Sequence, residues 1–194
     1  TTAYTRGICT DASGNIFLTG SYRGTIDLDP SANTANFVSA APNITDVYLA
    51  KYDDAGTFVW GASAGDGVSD QWGIAVAAAP DGSVYLTGNF KGTMDMDPGA
   101  GTASIASTTY EGFLAKYDSN GACQWALNMT NSGVTAASNA VGVAANGDVF
   151  ATGYTTFYAH FNPADQSQVW NTHSFSGDGY VVSYTPSGNL AGAF

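Results

Sequence analysis

Two pairs of aspartates are the residues of this sequence that could most directly take part in chemistry. Each pair is written Asp-x-Asp-Pro, with Asp27 and Asp29 in the first and Asp95 and Asp97 in the second. In an extended segment the two carboxylates of a pair point the same way, about 7 Å apart. Calcium takes about six to eight oxygen ligands, so other loops would have to supply more than half of them. The four aspartates are therefore candidate calcium ligands.

The same pairs have two other interpretations. The second Asp and the Pro can begin a β-turn in which the carboxylate accepts backbone N–H groups, and the ligand count favours this turn over calcium. Two carboxylates about 5 to 9 Å apart can also cleave a glycosidic bond. An active site is normally built once per domain, whereas these pairs recur, so hydrolysis is the least favoured. We expect no enzyme activity and no cofactor other than the candidate calcium.

The segments that contain these aspartates belong to a sequence unit that occurs three times in the chain. The stretch 81–88, Asp-Gly-Ser-Val-Tyr-Leu-Thr-Gly, returns with small changes at 13–20 and 146–153. Each copy is a tight turn followed by a short run of β-branched and aromatic residues, which is typical of a turn that leads into a strand. A second block recurs in step, at 46–53, 111–118 and 178–185. The chain is therefore predicted to be a repeat protein.

Each repeat contains four candidate strands. In the middle copy, turn residues separate four runs, at 74–77, 83–90, 111–118 and 122–127. Four antiparallel strands in each of three tandem units are typical of β-propeller blades. The sequence therefore predicts an all-β chain of three four-stranded antiparallel units of about 65 residues. Blade 1 is predicted at about 4–65, blade 2 at about 70–130 and blade 3 at about 135–194.

Side-chain size changes along each unit in a way that fits blades. The first strand of the middle unit carries the small residues Ala75, Val76 and Ala77, which are expected to lie at a crowded central axis. Aromatic residues follow later in each unit, where they would fill the space between stacked sheets. Trp60 and Trp125 occupy equivalent positions and are expected to be such packing residues.

The middle unit also supports a family resemblance. It contains Gly-Ile-Ala-Val, then Asp-Gly-Ser-Val-Tyr-Leu-Thr-Gly-Asn-Phe, then Phe-Leu-Ala-Lys-Tyr-Asp, and then a closing Trp. This set resembles the bacterial seven-bladed β-propeller repeat family over about residues 6–193. The resemblance implies a propeller from a secreted or cell-surface bacterial protein, and it implies little about activity. The third unit departs from the pattern, because Ser183 replaces the Lys and Gly192 replaces the Trp.

Three blades do not close a ring, since propellers generally have about four to eight. The outer faces of the first and last blades would then expose apolar surface and strand edges. We expect the missing blades to come from the same longer chain or from another copy of this one. A partial chain is the favoured alternative.

The charge balance limits the kinds of partner. The sequence has five basic and sixteen acidic residues, a formal net charge of −11. Nucleic acids and anionic membranes draw their affinity from Lys and Arg, so neither is an expected partner. No run is apolar and long enough for membrane insertion. Sugars, cations and other proteins remain.

The variable loops are the expected place for binding. Trp72 and Trp170 combine a flat apolar ring with nearby polar groups, as contacts to proteins and carbohydrates do, and they are candidate ligand contacts. We therefore expect a non-catalytic extracellular or cell-surface module for protein or glycan binding or adhesion. The alternative is a structural subunit of a surface filament or sheath.

Overall fold

The structure is a computed structural model that describes residues 1–131, 133–162, 165, 169–171 and 177–194. Every regular element among these residues is a β-strand, which confirms the predicted all-β class. In chain order the strands are β1 (Thr2–Thr10), β2 (Ile16–Arg23), β3 (Thr25–Asp27), β4 (Asn36–Val38), β5 (Asp46–Tyr52), β6 (Phe58–Ala64), β7 (Trp72–Ala78), β8 (Val84–Asp95), β9 (Ser104–Tyr117), β10 (Cys123–Asn128), β11 (Ala136–Val143), β12 (Val149–Thr155), β13 (Tyr158–Ala159), β14 (Trp170–Asn171), β15 (Asp178–Tyr184) and β16 (Leu190–Ala193). Within the described ranges, no helix is long and apolar enough to cross a membrane.

Three four-stranded antiparallel sheets form the blades. The strand orders are β1-β2-β5-β6 in blade 1, β7-β8-β9-β10 in blade 2 and β11-β12-β15-β16 in blade 3. The four predicted strands of the middle unit are all present. Three of them are longer than predicted: β7 starts earlier and ends later, and β8 and β9 continue past the blade as a hairpin. The short pairs β3-β4 and β13-β14 replace that extension in blades 1 and 3 and were not predicted.

The blades stand side by side with their first strands innermost. Strand β7 contacts both β1 and β11, so the three first strands lie next to one another. A cavity of about 270 Å³ opens where these strands end, between residues 10–12, 78–80 and 143–145. Most of the side chains around it are alanines. The predicted position of the small residues at the axis is therefore confirmed.

The meander topology divides the connections between two faces. The short glycine-containing turns at 11–15, 53–57, 79–83, 118–122, 144–148 and 185–189 lie at one end of the blades, which we call the turn face. The connections at 24–45 and 91–110, the described part of the connection between β12 and β15 (156–162, 165, 169–171 and 177), the inter-blade link 65–71 and the described part of the next link (129–131 and 133–135) lie at the other end, the loop face. Insertions between repeats therefore collect on one face of the molecule.

The repeated Thr-Gly pair has a packing reason. In blade 2, β7 bulges between Gly73 and Ala75, which brings its backbone close to Gly88 of β8. A Cβ atom on Gly88 would collide with the carbonyl oxygen of Trp72. The preceding Thr87 is buried and donates its hydroxyl to the Phe113 carbonyl at 2.6 Å. The Thr-Gly pair therefore allows β7 to pack closely on β8 and ties β8 to β9 through the threonine hydroxyl.

Neighbouring blades are joined by a repeated contact that we call the clamp, formed by Lys51 and Trp60 in blade 1 and by Lys116 and Trp125 in blade 2. Lys51 Nζ and Trp60 Nε1 both donate to the Ser119 carbonyl of blade 2, at 3.2 and 3.1 Å. The blade 2 pair donates in the same way to the Pro186 carbonyl of blade 3, at 3.4 and 3.1 Å. Each clamp thus holds the turn of the next blade.

An aromatic ring supports each clamp. The Lys51 ammonium lies over the ring of Phe17, with 5.5 Å between Nζ and the ring centroid. The Lys116 ammonium lies over the ring of Tyr85 at the same distance. The tryptophan rings pack on the same two rings, at centroid distances of 6.2 Å for Phe17 and 5.8 Å for Tyr85. The predicted packing role of both tryptophans is therefore confirmed. Cation–π attraction adds to the hydrogen bonds.

The two cysteines are unpaired. Cys9 and Cys123 pack against the apolar core between blades 1 and 2. Burial raises the pKa of each thiol to about 11, so both are protonated at neutral pH. They therefore behave as small apolar residues.

Candidate functional site

The first aspartate pair lies at the exposed hairpin of blade 1 on the loop face. Asp27 accepts the backbone N–H groups of Asp29 and Ala35 at 3.1 and 2.8 Å, and Asp29 accepts that of Ser31 at 2.8 Å. Leu28, between the two aspartates, is buried as expected. These bonds are the ones that the β-turn interpretation requires.

The second pair repeats the arrangement in blade 2. Asp95 accepts the N–H groups of Asp97 and Ala103 at 3.1 and 2.8 Å, and Asp97 accepts that of Gly99 at 2.7 Å. Among the described residues, no group of three or more His, Cys, Asp or Glu side chains could hold a metal ion. Calcium at these four aspartates stays a prediction, for which backbone carbonyls would have to complete the ligand set.

Substitutions at Asp95 distinguish a turn from a calcium site. We expect Asp95→Asn to lower the free energy of unfolding by less than about 1 kcal/mol, because the amide oxygen can still accept both N–H groups. Asp95→Ala removes both bonds and should cost about 2 kcal/mol. Urea unfolding with and without a calcium chelator measures both effects. A chelator-sensitive melting temperature that Asp95→Asn abolishes would instead favour a calcium site.

Trp72, the first candidate contact residue, is the first residue of β7 and not part of the loop before it. Its half-buried ring lies 5.3 Å from the ring of Tyr110, tilted by 32°. The two nearby aspartates already have hydrogen-bond partners within the protein. Asp66 accepts two backbone N–H groups of its own loop. Asp70 accepts the backbone N–H and the hydroxyl of Thr45, which precedes β5. The aromatic pair is partly accessible at the edge of the loop face.

Trp170, the second candidate, lies in blade 3. It is 39% exposed, pairs with Ala159 in the β13-β14 ladder and contacts Phe161 at a centroid distance of 6.4 Å. The structure therefore places both candidate tryptophans on the loop face, in different blades. A contact role for either one stays a prediction.

A polar cavity on the loop face was not predicted. It measures about 350 Å³ and lies between the β8-β9 hairpin and the link from blade 2 to blade 3. Its lining includes the hydroxyls of Thr93, Ser107 and Thr108, the amide of Asn128 and the carboxylate of Glu111. These groups come from three strands of blade 2, β8, β9 and β10, so no local pattern in the sequence marks them. The carboxylate of Glu111 itself accepts the Gly133 N–H at 2.7 Å.

Asp46 is a buried acid at the junction of blades 1 and 2. Only 3% of it is exposed; its Oδ2 accepts the Ala40 N–H at 2.7 Å and its Oδ1 has no hydrogen-bond partner. Burial raises the pKa of this carboxyl group, and the negative charge of Asp66 raises it further. Ionised Asp46 therefore opposes folding.

Asp46→Asn should change the pH dependence of stability. Because the folded pKa of Asp46 is raised, its contribution to stability is complete below the unfolded value near 3.8 and is lost as the pH rises through the folded value. We expect the variant to gain stability relative to the native chain between pH 3 and pH 7, as measured by urea unfolding across that range. A difference that does not change with pH would contradict this account.

The two faces differ in their number of acidic residues. The loop face carries ten of the sixteen acidic residues, namely Asp27, Asp29, Asp46, Asp66, Asp70, Asp95, Asp97, Glu111, Asp165 and Asp178. Only two basic residues lie toward this face in the described ranges, Arg23 and Lys91. The turn face has six acids, but both clamp lysines lie beside its turns. Asp46 and Glu111 are buried, so the loop face presents eight accessible acidic residues and the turn face presents six.

One comparison with known proteins supports the propeller architecture. Over 170 residues the chain is 24% identical to an uncharacterized WD repeat-containing protein of Acanthamoeba polyphaga mimivirus. The chain is similar to a WD repeat protein. The matched segment covers 76% of this chain and only 12% of that protein. No protein-family model matches, so membership of the bacterial seven-bladed repeat family stays a prediction.

Proposed function

We propose that this chain is a non-catalytic β-propeller module whose loop face binds a protein with a basic surface. The observation that carries the proposal is the group of eight accessible acidic residues on the face where the long connections meet. A surface of one sign attracts a partner of the opposite sign and raises the rate of encounter. Similarity to a WD repeat-containing protein supports a repeat scaffold of this kind.

The proposal includes an extracellular or cell-surface location and a role in adhesion. Its support is the resemblance of the repeat to the bacterial propeller family. The high Asp, Asn, Gly and Thr content and the −11 charge suit exposure to solvent and argue against a nucleic-acid partner.

Glycan binding is the second candidate, because of the polar cavity. Hydroxyl, amide and carboxylate groups can recognise the hydroxyls of a sugar, and the cavity of about 350 Å³ is in the usual size range for small ligands. In this case the ligand would occupy the space between Thr93 and Asn128 rather than the wider acidic surface.

The proposed function can be tested with matched charge variants and a displayed random-peptide library. Asp→Asn changes keep an acceptor oxygen, so both variants retain the turn hydrogen bonds while each removes four negative charges. The loop-face variant changes Asp27, Asp29, Asp95 and Asp97; the turn-face variant changes Asp53, Asp54, Asp118 and Asp148.

We expect the selected peptides to be basic. The loop-face variant should bind them at least tenfold more weakly than the native chain, whereas the turn-face variant should lose less than twofold. Equal losses in both variants, or selection of neutral peptides, would contradict the proposal. Binding to a printed oligosaccharide that Thr93→Val or Thr108→Val abolishes would favour the glycan candidate instead.

A further inference from the structure

The turn at residues 53–56 of blade 1, which we call the free seat, matches the two turns that receive a clamp. Gly56, Gly121 and Gly188 occupy equivalent positions and have φ values of 81°, 87° and 84°. Each glycine N–H closes its turn on the carbonyl three residues earlier, at 3.0, 3.1 and 2.9 Å. The three turns therefore have the same backbone.

Of these three turns, only the free seat has no tryptophan ring against its glycine. A Cβ atom on Gly121 would lie 2.8 Å from the Trp60 ring, and one on Gly188 would lie 3.2 Å from the Trp125 ring. A Cβ atom on Gly56 would have nothing within 4 Å. The glycine that a tryptophan covers in blades 2 and 3 is thus uncovered in blade 1.

The innermost strand on the same side of blade 1 is uncovered as well. Ile8 in β1 is equivalent to Val76 in β7, because each pairs with the leucine before the Thr-Gly motif. Val76 is 6% exposed under blade 1, whereas Ile8 is 68% exposed. The middle of this face, around Ala50, is covered by Leu28 and Phe37 of the chain's own β3-β4 hairpin. The surface that a preceding blade would cover therefore remains open at the seat and at the innermost strand.

Charge at the free seat favours a lysine. Residues 53 and 54 are both aspartates, where the occupied turns have Asp118-Ser119 and Thr185-Pro186. An ammonium group that binds the carbonyl of Asp54, as Lys51 binds that of Ser119, would also lie near the Asp54 carboxylate. The seat is thus more acidic than the two that already hold a lysine.

Blade 3 of a second copy does not have the matching groups. It keeps the supporting ring as Phe150, which is 41% exposed, but Ser183 and Gly192 stand in place of the clamp lysine and tryptophan. A head-to-tail contact between copies would therefore leave the Asp54 carbonyl without either donor.

We propose that the free seat and the face around Ile8 form a docking surface for a propeller blade from outside these 194 residues, one with Lys and Trp at the clamp positions. The partner blade presents an ammonium and an indole N–H to the Asp54 carbonyl and lays its tryptophan ring on Gly56. This surface lies beside the turn face, so it is separate from the proposed binding of a basic protein by the loop face.

The test gives blade 3 the missing clamp and measures self-association by analytical ultracentrifugation. The variant is Ser183→Lys with Gly192→Trp; a Cβ atom at 192 would meet Ser183 and Phe194 only at 3.4 and 3.5 Å, an ordinary contact. The new side chains can rest on Phe150 as Lys116 and Trp125 rest on Tyr85. We expect at least tenfold tighter self-association than in the native chain.

The seat is then blocked in the same variant with Gly56→Ala, which should return the affinity to the native level. Gly82→Ala is the matched control, because Gly82 has the same φ of 81° in a turn that receives no tryptophan. It should leave the tighter association unchanged. Should the double variant fail to fold by near-UV circular dichroism, Ser183→Lys alone should still strengthen association, and Asp54→Asn should reverse part of that gain, because the lysine acts through the acidic seat.

Two results would overturn the proposal. One is a folded clamp variant that associates no more tightly than the native chain, or whose association ignores Gly56→Ala. The other is a native chain that already associates through Gly56, since a second copy would then be the occupant.

Discussion

Gly88→Ala should lower the free energy of unfolding by about 3 kcal/mol, as expected when a side chain is forced into a fully packed site. The added Cβ atom would meet the Trp72 carbonyl oxygen and the ring of Phe113. A backbone oxygen at a bulge cannot move without breaking the pairing of β7 with β8. Urea unfolding followed by tryptophan fluorescence measures the loss.

Gly142→Ala is the matched control for this prediction. Gly142 lies in β11, on the innermost strand of blade 3, and a Cβ atom there would have nothing within 4 Å. We expect a change within about 0.5 kcal/mol. Equal effects of the two substitutions would show that the Thr-Gly motif has no special packing role.

Trp125→Ala should have an effect of similar size. The substitution removes the ring that packs on Tyr85 and covers Gly188, and also the hydrogen bond to the Pro186 carbonyl. Loss of a large aromatic side chain from a packed site costs about 3 kcal/mol or more. Trp125→Phe keeps most of the packing and should cost about 1 kcal/mol for the lost hydrogen bond.

Gln124→Ala is the control on the same strand. Gln124 is exposed, and its amide donates only to Asp118 and the Ala122 carbonyl of its own hairpin, so its removal should be close to neutral. Thermal and urea unfolding of the three variants give the order Gln124→Ala, Trp125→Phe, Trp125→Ala from least to most destabilised. A Trp125→Ala variant as stable as the control would mean that the clamp does not hold blade 3.

The blade architecture could be predicted because each repeat carries its own local signals. A glycine turn and a Thr-Gly pair recur in all three units, and Lys-Tyr-Asp recurs in the first two, so each signal acts within a few residues. The hairpin β3-β4 was missed because its strands are three residues long and lack an alternating pattern.

The features of the candidate site depend on contacts that the sequence does not encode locally. The loop-face cavity brings Thr93 of β8 together with Asn128 of β10, 35 positions later in the sequence, through the pairing of both strands with β9 in blade 2. The clamp joins Lys51 to Ser119 across 68 positions. The sequence showed that both clamp residues repeat, but only the structure shows that they share one carbonyl acceptor in the next blade.

The most direct test of the interlocked blades is a double-mutant cycle between Trp60 and Gly121, which lie 61 positions apart in sequence. Gly121→Ala adds a Cβ atom 2.8 Å from the Trp60 ring, so it should be less harmful after Trp60→Ala has made room. The backbone strain at Gly121 is present in both backgrounds and cancels. We predict that the double variant is more stable than the sum of the single losses by at least about 1 kcal/mol. Losses that add to within about 0.5 kcal/mol would contradict contact between the two blades at this turn.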